Sequence, residues 1–435
     1  MTSATTLQAL RRGDLAGARA LDLSHGGLTE FPTDICGLAD TLEVLDLSGN
    51  ELTRLPDVFS QLRRLRVLFC SGARFERLPP VLGDCPALSQ IGFRRTGLRE
   101  VPAEALPPRI RWLTLTDNAL ERLPDALGQR PQLQKLMLAG NRLRDLPESL
   151  AGASKLELLR LSANAFAALP SWLVELPQLA WLAWAGNPLD RDIEPEGAVI
   201  DWASLQPGAL LGEGASGRVY EALWSEPGVT TPRRVAVKLF KGAMTSDGLP
   251  EREMAACLTA GDHPALTGGL GRLTGHPDHA SGLVMPMLPA HWHPLAGPPD
   301  QESCSRDVYA PTLRLAPDVA IRIASAVGEA IAHLHARGLL HGDVYAHNTL
   351  WDGDAGHAVL SDFGAASFLP SGPQAARLER LEVLAWGRLL SELLDRCDLG
   401  PTAADLAALC ETCLQPNGNA RPSMAAALDA LRTHL

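Results

Sequence analysis

The stretch His341-Gly342-Asp343-Val344-Tyr345-Ala346-His347-Asn348 sets a carboxylate five residues before an amide, and Asp362-Phe363-Gly364 follows Asn348 by 14 residues. Asp343 can orient a hydroxyl and accept its proton. Asn348 and Asp362 offer hard oxygen ligands that a Mg²⁺ ion would accept. Such a set suits phosphoryl transfer, which depends on positioning and charge stabilisation more than on covalent catalysis. Each piece alone is weak; the order and spacing together are specific.

Two upstream stretches would position those groups. Leu211-Gly212-Glu213-Gly214-Ala215-Ser216-Gly217 is followed by Arg218-Val219-Tyr220-Glu221-Ala222, a strand pattern. A dinucleotide fold would place a helix there. Val235-Ala236-Val237-Lys238 then reads as a strand ending in a lysine. A glycine-rich hairpin over phosphates followed by a strand lysine is the protein-kinase order. A helix should follow, carrying a Glu to orient Lys238. Residues 250–266 offer Glu251 and Glu253, and Glu253 stands at the better interval before His263-Pro264. Gly282 to Leu288 reads as a strand and hinge against adenine, with Met285 at the back of the pocket. Pro286 lacks an N–H, but that position needs only its carbonyl, and Leu288 keeps the N–H that adenine requires. A helical pattern from Pro317 to Ala336 delivers the chain to His341.

Residues 200–435 therefore resemble a protein kinase, most closely the tyrosine-kinase-like group in Ile200–Leu205 and Val219–Trp224. The resemblance implies a two-lobed α/β fold, with an N-lobe over about 200–290 and a C-lobe over about 291–435. It implies ATP and Mg²⁺ as substrate and cofactor, and catalytic roles for Asp343, Lys238 and Glu253. Lys238 would bind the α- and β-phosphates. Nucleotide contacts would come from Leu211, Gly212, Glu213, Gly214, Ala215, Ser216, Gly217, Val219, Ala236, Lys238, Met285, Pro286 and Leu288, and metal contacts from Asn348 and Asp362. Glu382 stands in the central C-lobe helix where kinases commonly have Asp, and Arg421 matches the late C-lobe arginine.

The chain departs from that family at several points. Gly342 replaces the arginine that normally pairs with an activation-loop phosphate, so loop phosphorylation is not expected to switch the protein. Tyr345 replaces a lysine near the γ-phosphate, leaving His347 as the nearest cationic candidate. Only 17 residues separate Gly364 from Glu382, and no A-P-E triplet is present. Arg421 is then expected to pair with Glu379 or Glu382. His-Gly-Asp also occurs in small-molecule phosphotransferases, and a pseudokinase scaffold is a further alternative. The complete set of Lys238, Asp343, Asn348 and Asp362 points instead to an active protein kinase, Ser/Thr-directed, with dual specificity as the alternative.

The first half is periodic. The pattern L-x-L-x-x-N-x-L has its anchor at Gly26, Asn50, Ala73, Thr96, Asn118, Asn141, Asn164 and Asn187, in steps of 24, 23, 23, 22, 23, 23 and 23. A proline follows each of the first seven anchors by six residues, and the eighth copy has Ile193 there. These residues resemble leucine-rich repeats, over about 15–190. No unit of such an array buries its own core, so the copies must stack. The three copies lacking Asn are expected to be locally loose, and a helix over Thr6–Ala18 to cap the first copy. Phe69, Arg94, Trp112, Met137, Arg160 and Trp181 are expected on the concave face, where aromatic and Arg side chains suit a protein partner or substrate. Trp172, Trp181, Trp184 and Trp202 gather near the end of the array, where they are expected to cap its core or dock the next domain. The expected domains are thus repeats over 1–190, a linker over 191–199 and a kinase domain over 200–435.

Composition agrees. With 435 residues, two or three domains are expected, and 46% apolar content supplies their cores. A net charge of −11 argues against nucleic acid or anionic membrane as partner. No apolar run approaches the roughly 20 residues of a spanning helix, and the N-terminal stretch shows no signal-like apolar core. Eight scattered cysteines fit a reducing cytoplasm. Cys410 and Cys413 form a C-x-x-C within an apolar helical pattern, expected to be buried thiols. His279, His291 and His293 lack the spacing of a metal site.

Overall fold

The computed structural model describes residues 3–190, 197–214, 216–242, 244–245, 247–398, 400 and 403–434. The chain forms two compact units, residues 1–178 and 179–435.

In the first unit, seven three-residue strands pair in parallel in sequence order. Leu21, Leu45, Leu68, Ile91, Leu113, Leu136 and Leu159 stand in register along the sheet. All seven are buried. Their spacing repeats the 24-23-23-22-23-23 steps of the sequence. Each L-P proline caps a short 3₁₀ turn on the opposite side, as Pro56 does for Asp57–Gln61 and Pro147 for Glu148–Gly152. Phe69 lies over Gly92, where a Cβ would approach the ring to 2.6 Å.

The asparagines hold consecutive copies together. Asn141 accepts from Leu120 N–H at 3.0 Å and donates to the carbonyls of Leu115 and Leu138, each at 2.9 Å. Two of the three Asn-less copies are not loose, because the next copy's Asn serves them. Asn50 accepts from Leu28 N–H and donates to Leu23 O past Gly26. Asn118 accepts from Thr96 Oγ1, Gly97 N–H and Leu98 N–H. The N-terminal helix spans Ser3–Arg12, not Thr6–Ala18, and stops at Gly13, which takes φ +79°. Only a residue without Cβ adopts that helix-ending conformation cheaply. Among the residues expected on the concave face, Phe69, Arg94, Trp112 and Met137 are half-buried, whereas Arg160 and Trp181 are only 1% and 2% exposed. Those two are therefore removed from the open binding face.

The second unit begins with the eighth copy's strand, Trp181–Ala183. Its N-terminal sheet has the order Leu205–Glu213, Gly217–Trp224, Arg233–Phe240, Gly282–Pro286, Gly271–Thr274, Ala198–Asp201. Alternate residues Leu205, Ala222, Trp224, Val235, Val237 and Val284 face one apolar core with Ile200 and Leu273. The opposite face of the Arg233–Phe240 strand is thereby free to carry Ala236 and Lys238 into the site. The C-terminal part is helical: Pro317–Ala336, Pro373–Leu394, Ala403–Cys413 and Met424–Arg432. The first of these matches the expected bounds. Cys410 and Cys413 are buried free thiols, and burial pushes both up to about 12. Ile193 and most of the expected linker lie outside the described residues.

Replacing Asn141 by Ala would leave the buried Leu120 N–H without its acceptor, while Leu115 O and Leu138 O keep Asn118 and Asn164 as donors. It should cost about 1–3 kcal/mol, and more than Thr96→Ala, whose turn keeps Asn118. Urea unfolding midpoints of the full chain test this; equal losses would refute the Asn ladder as the inter-copy tie.

Candidate active site

Lys238 sits mid-strand between Val219 and Leu283, its register partners on either side. The helix Pro250–Ala260 buries Glu253, Ala256, Cys257 and Ala260, one face at helical spacing. That face points Glu253 at Lys238, and Glu253 Oε1 accepts a short hydrogen bond from Lys238 Nζ. Lys238 Nζ also lies 4.0 Å from Asp362 Oδ1. Burial lowers the tendency of Lys238 to stay charged, but Asp362 and then Glu253 outweigh it and raise its pKa. Burial pushes Glu253 up to about 7 against the pull of Lys238, with Asp362 adding repulsion. Three charges thus meet at one point, and only one is positive.

The catalytic-loop residues are set by the short hairpin Thr349–Trp351 with Ala358–Leu360. Ser361 closes it, giving both its N–H and its hydroxyl to Asn348 O at 2.8 Å. Asp362, the next residue, is thereby brought beside Asn348. Asn348 Nδ2 in turn donates to Asp343 Oδ2 at 2.9 Å and to Asp343 O at 3.0 Å. Asp362 adopts φ +66°, an uncommon conformation for a residue with a Cβ, and caps Phe363–Ala365 through Gly364 N–H at 3.1 Å. His341 is fully buried near the Phe363 ring, and burial lowers its pKa.

Glu382, fully buried in the Pro373–Leu394 helix, accepts from Gly342 N–H at 2.6 Å and bonds His335 Nε2 at 2.8 Å. With its two oxygens so engaged, it is not the described partner of Arg421. The Arg421 guanidinium instead donates to the carbonyls of Gln415, Arg380 and Pro416. Burial lowers its pKa to about 10. The expected pairing with Glu379 or Glu382 is corrected accordingly: the late arginine ties loop carbonyls to the central helix. That helix starts at Pro373, only a few residues after the Ser367–Phe368 strand, which pairs with Leu339–Leu340. The segment after Asp362 is therefore a short strand and a turn.

Gly342 is required sterically. It takes φ +73°, and a Cβ would meet Ala365 O at 2.6 Å and Leu182 O at 2.7 Å. No arginine fits there. Tyr345 is 4% exposed, stacked at 4.2 Å and 9° on Trp181, so it packs rather than reaching a phosphate. His347 Nδ1 bonds Asp307 Oδ1 at 2.6 Å, and Asp307 Oδ2 accepts from Ala346 N–H at 2.6 Å. Burial lowers the pKa of His347, but Asp307 and the nearby carboxylates overcome this and raise it.

A cleft of about 580 Å³ lies between the sheet and the hairpin. Leu211, Gly212, Glu213, Gly214, Ser216, Gly217, Val219, Ala236, Lys238, Glu253, Met285, Pro286, Leu288 and Asp362 line it. Ala215 lies outside the described residues. Asp343 and Asn348 are not among its lining residues; Ser361, which is, donates to Asn348 O. Cys257, Leu283, Trp292 and Leu350, which no motif marks, also line the cleft. Cys257 was discoverable, being four residues beyond Glu253 on the same helical face. The volume and the mix of apolar wall with convergent charge suit a small-molecule ligand. The glycines differ in role. Gly212 and Gly214 face open space, whereas a Cβ at Gly217 would strike Leu239 O at 2.4 Å. Gly217 therefore serves strand pairing, and Gly212 and Gly214 leave room for a ligand.

Comparison with known proteins agrees with this geometry. Residues 205–386 match a protein tyrosine and serine/threonine kinase family model. Residues 17–75, 108–166 and 131–189 match a leucine rich repeat model. The human and mouse PH domain leucine-rich repeat-containing protein phosphatase 1 are each 30% identical over 101 residues, and the rat protein is 36% identical. Those matches cover 23% of this chain and 6% of each relative, so the chain spans a small fraction of their length. Protein kinase domains generally use ATP and Mg²⁺, and leucine-rich repeats generally mediate protein–protein interaction. The chain is a leucine-rich-repeat array followed by a protein kinase domain of the tyrosine and serine/threonine type.

Proposed function

We propose that this protein transfers the γ-phosphoryl group of ATP to serine or threonine of a protein recruited by the repeats. The observation that carries this reading is the joined set: the Lys238–Glu253 pair beside Asp362, and Asp343 tied to Asn348. The residues fit a Mg²⁺-bound nucleotide. An acidic pair of sites around one ammonium is unfavourable without added positive charge, and open space over Gly212 and Gly214 leaves room for phosphates. Asn348 and Asp362 would hold Mg²⁺, which would supply charge neutralisation for phosphoryl transfer. Lys238 holds the α- and β-phosphates, and Glu253 keeps Lys238 in place. Asp343 orients the attacking hydroxyl and takes its proton. Met285, Pro286 and Leu288 receive adenine.

The half-buried face formed by Phe69, Arg94, Trp112 and Met137 suits a protein partner. Lys135 Nζ lies 4.1 Å over the Trp112 ring, so this face presents aromatic surface and positive charge together. All eight cysteines are free thiols, consistent with a reducing cytoplasm. Among the described residues, no helix is long and apolar enough to cross a membrane. One observation favours a binding protein that keeps the fold for contacts: the family's lysine position holds Tyr345, packed away from the cleft. Wild-type protein that binds ATP yet labels no protein or small molecule would establish that rival.

Asp343→Ala should lower turnover by roughly 10²–10⁴ while ATP still binds. Labelled ATP with lysate proteins and a small-molecule panel measures the first, and calorimetry the second. Undiminished transfer by the variant would remove Asp343 from the reaction.

Activity should survive phosphatase treatment of the purified protein, because Gly342 leaves no arginine to read a loop phosphate. Loss of activity on treatment would show a phosphate switch.

Glu253 titrates near 7 in the folded protein, above its ordinary 4.5. Between those values the folded chain holds a proton that the unfolded chain lacks, so this group favours folding as pH falls through about 7. Its charge, and with it the hold on Lys238, is lost over the same range. We expect kcat/KM for ATP to fall from about pH 8 to about pH 6. A flat profile there would contradict the assignment.

A further inference from the structure

The kinase unit starts earlier than the glycine loop. Residues 181–190 belong to it, and they touch three elements whose placement a kinase site requires. Trp181 Nε1 donates to Val344 O at 2.9 Å, one residue past Asp343, and its ring stacks on Tyr345. Tyr345 in turn lies 4.8 Å from the His347 ring, which Asp307 holds. The guanidiniums of Arg388 and Arg306 lie 4.9 Å and 5.6 Å from the Trp181 ring, and Trp181 is 2% exposed. Leu182 O closes on Gly342 from one side. Trp184 N–H donates to Ser367 Oγ at 3.0 Å, in the segment after Asp362. Asp190, which accepts from Gly186 N–H at 2.8 Å, pairs at 3.6 Å with Arg252, beside Glu253 on the helix that orients Lys238.

We infer that residues 181–190 are a built-in brace, with Trp181 as the positioning residue for Asp343. In protein kinases the lysine–glutamate pair and the metal-binding aspartate must both be in place, and activation-segment phosphorylation and helix position control this. Here one covalently continuous stretch contacts the catalytic loop, the segment after Asp362 and the Glu253 helix. It stands where an arginine at 342 would otherwise reach. A hydrogen bond to Val344 O and a flat ring on Tyr345 restrict the backbone on the C-terminal side of Asp343, where a displacement of about 1 Å can cost on the order of 10²-fold in rate. The brace does not line the ATP cleft, so its loss acts on turnover and not on nucleotide affinity.

The inference rests on the proposed kinase activity, and the test separates the two. Full-length wild type, Trp181→Ala, Trp181→Phe and Arg252→Ala are compared for kcat, KM for ATP, ATP binding, and amide exchange over residues 341–348. Trp181→Ala should lower kcat by about ten-fold or more, with KM for ATP within about two-fold, and should speed exchange over the catalytic loop. Trp181→Phe keeps a ring on Tyr345 but loses the bond to Val344, and should fall between. Arg252→Ala, which leaves the catalytic loop untouched, should lower kcat independently. If Trp181→Ala does not fold, as absent ATP binding would show, Trp181→Phe decides by the same readings. Unchanged kcat and exchange would overturn the inference. A rise in kcat would overturn it too, making the stretch inhibitory. If wild type transfers no phosphoryl group, the proposed function fails, and the exchange arm alone decides whether the brace holds the loop.

Discussion

A lysine ammonium nine-tenths removed from water can persist only beside a negative charge, and Glu253 provides it. Much of the second unit follows from that need. The strand Arg233–Phe240 must present Lys238 on one face while burying Val235 and Val237 on the other. The helix Pro250–Ala260 must carry Glu253 on its inner face. Asp362 must then approach within 4.0 Å, which overloads the point with negative charge. That surplus of carboxylate is a cost to the fold, which only added positive charge at this point would offset.

The catalytic loop is held by a different kind of constraint. Its backbone passes between carbonyls of Leu182 and Ala365 at Gly342, which explains why that position has neither a side chain nor an ordinary backbone angle. Glu382 then fastens the Gly342 N–H to the central helix. Glu has one methylene more than the Asp common in kinases, yet it still reaches both Gly342 and His335. Loop position is thus set by packing and by a backbone N–H held on the Glu382 carboxylate instead of an arginine–phosphate clamp. The short segment after Asp362 is consistent with this, since there is little loop for a phosphate to organise.

The repeat unit obeys a simpler rule. Each strand contributes an inward leucine, or in one copy Ile91, and Asn141 satisfies backbone groups of its own copy and the one before. A copy can therefore lose its Asn without opening, provided its successor keeps one. Gly26 and Thr96 show this. The expectation of looseness treated each copy as self-contained, whereas its turn is completed by a neighbour.

The sequence by itself determined the repeat period, the L-P turns, the strand after the glycine loop and the bounds of the Pro317–Ala336 helix. These are local matters: period, turn residues and motif spacing are written within a few residues of one another. The tertiary structure alone decided the partners of Arg421 and Glu382, the burial of Arg160 and Trp181, and the packing of Tyr345. Trp181 and Tyr345 stand 164 residues apart, and both sequence contexts are ordinary: an exposed-looking strand position and a departure from a motif. No periodicity links them. Their contact exists because the last copy's strand folds into the same compact unit as the catalytic loop, and only packing in three dimensions can pair residues so distant in the chain.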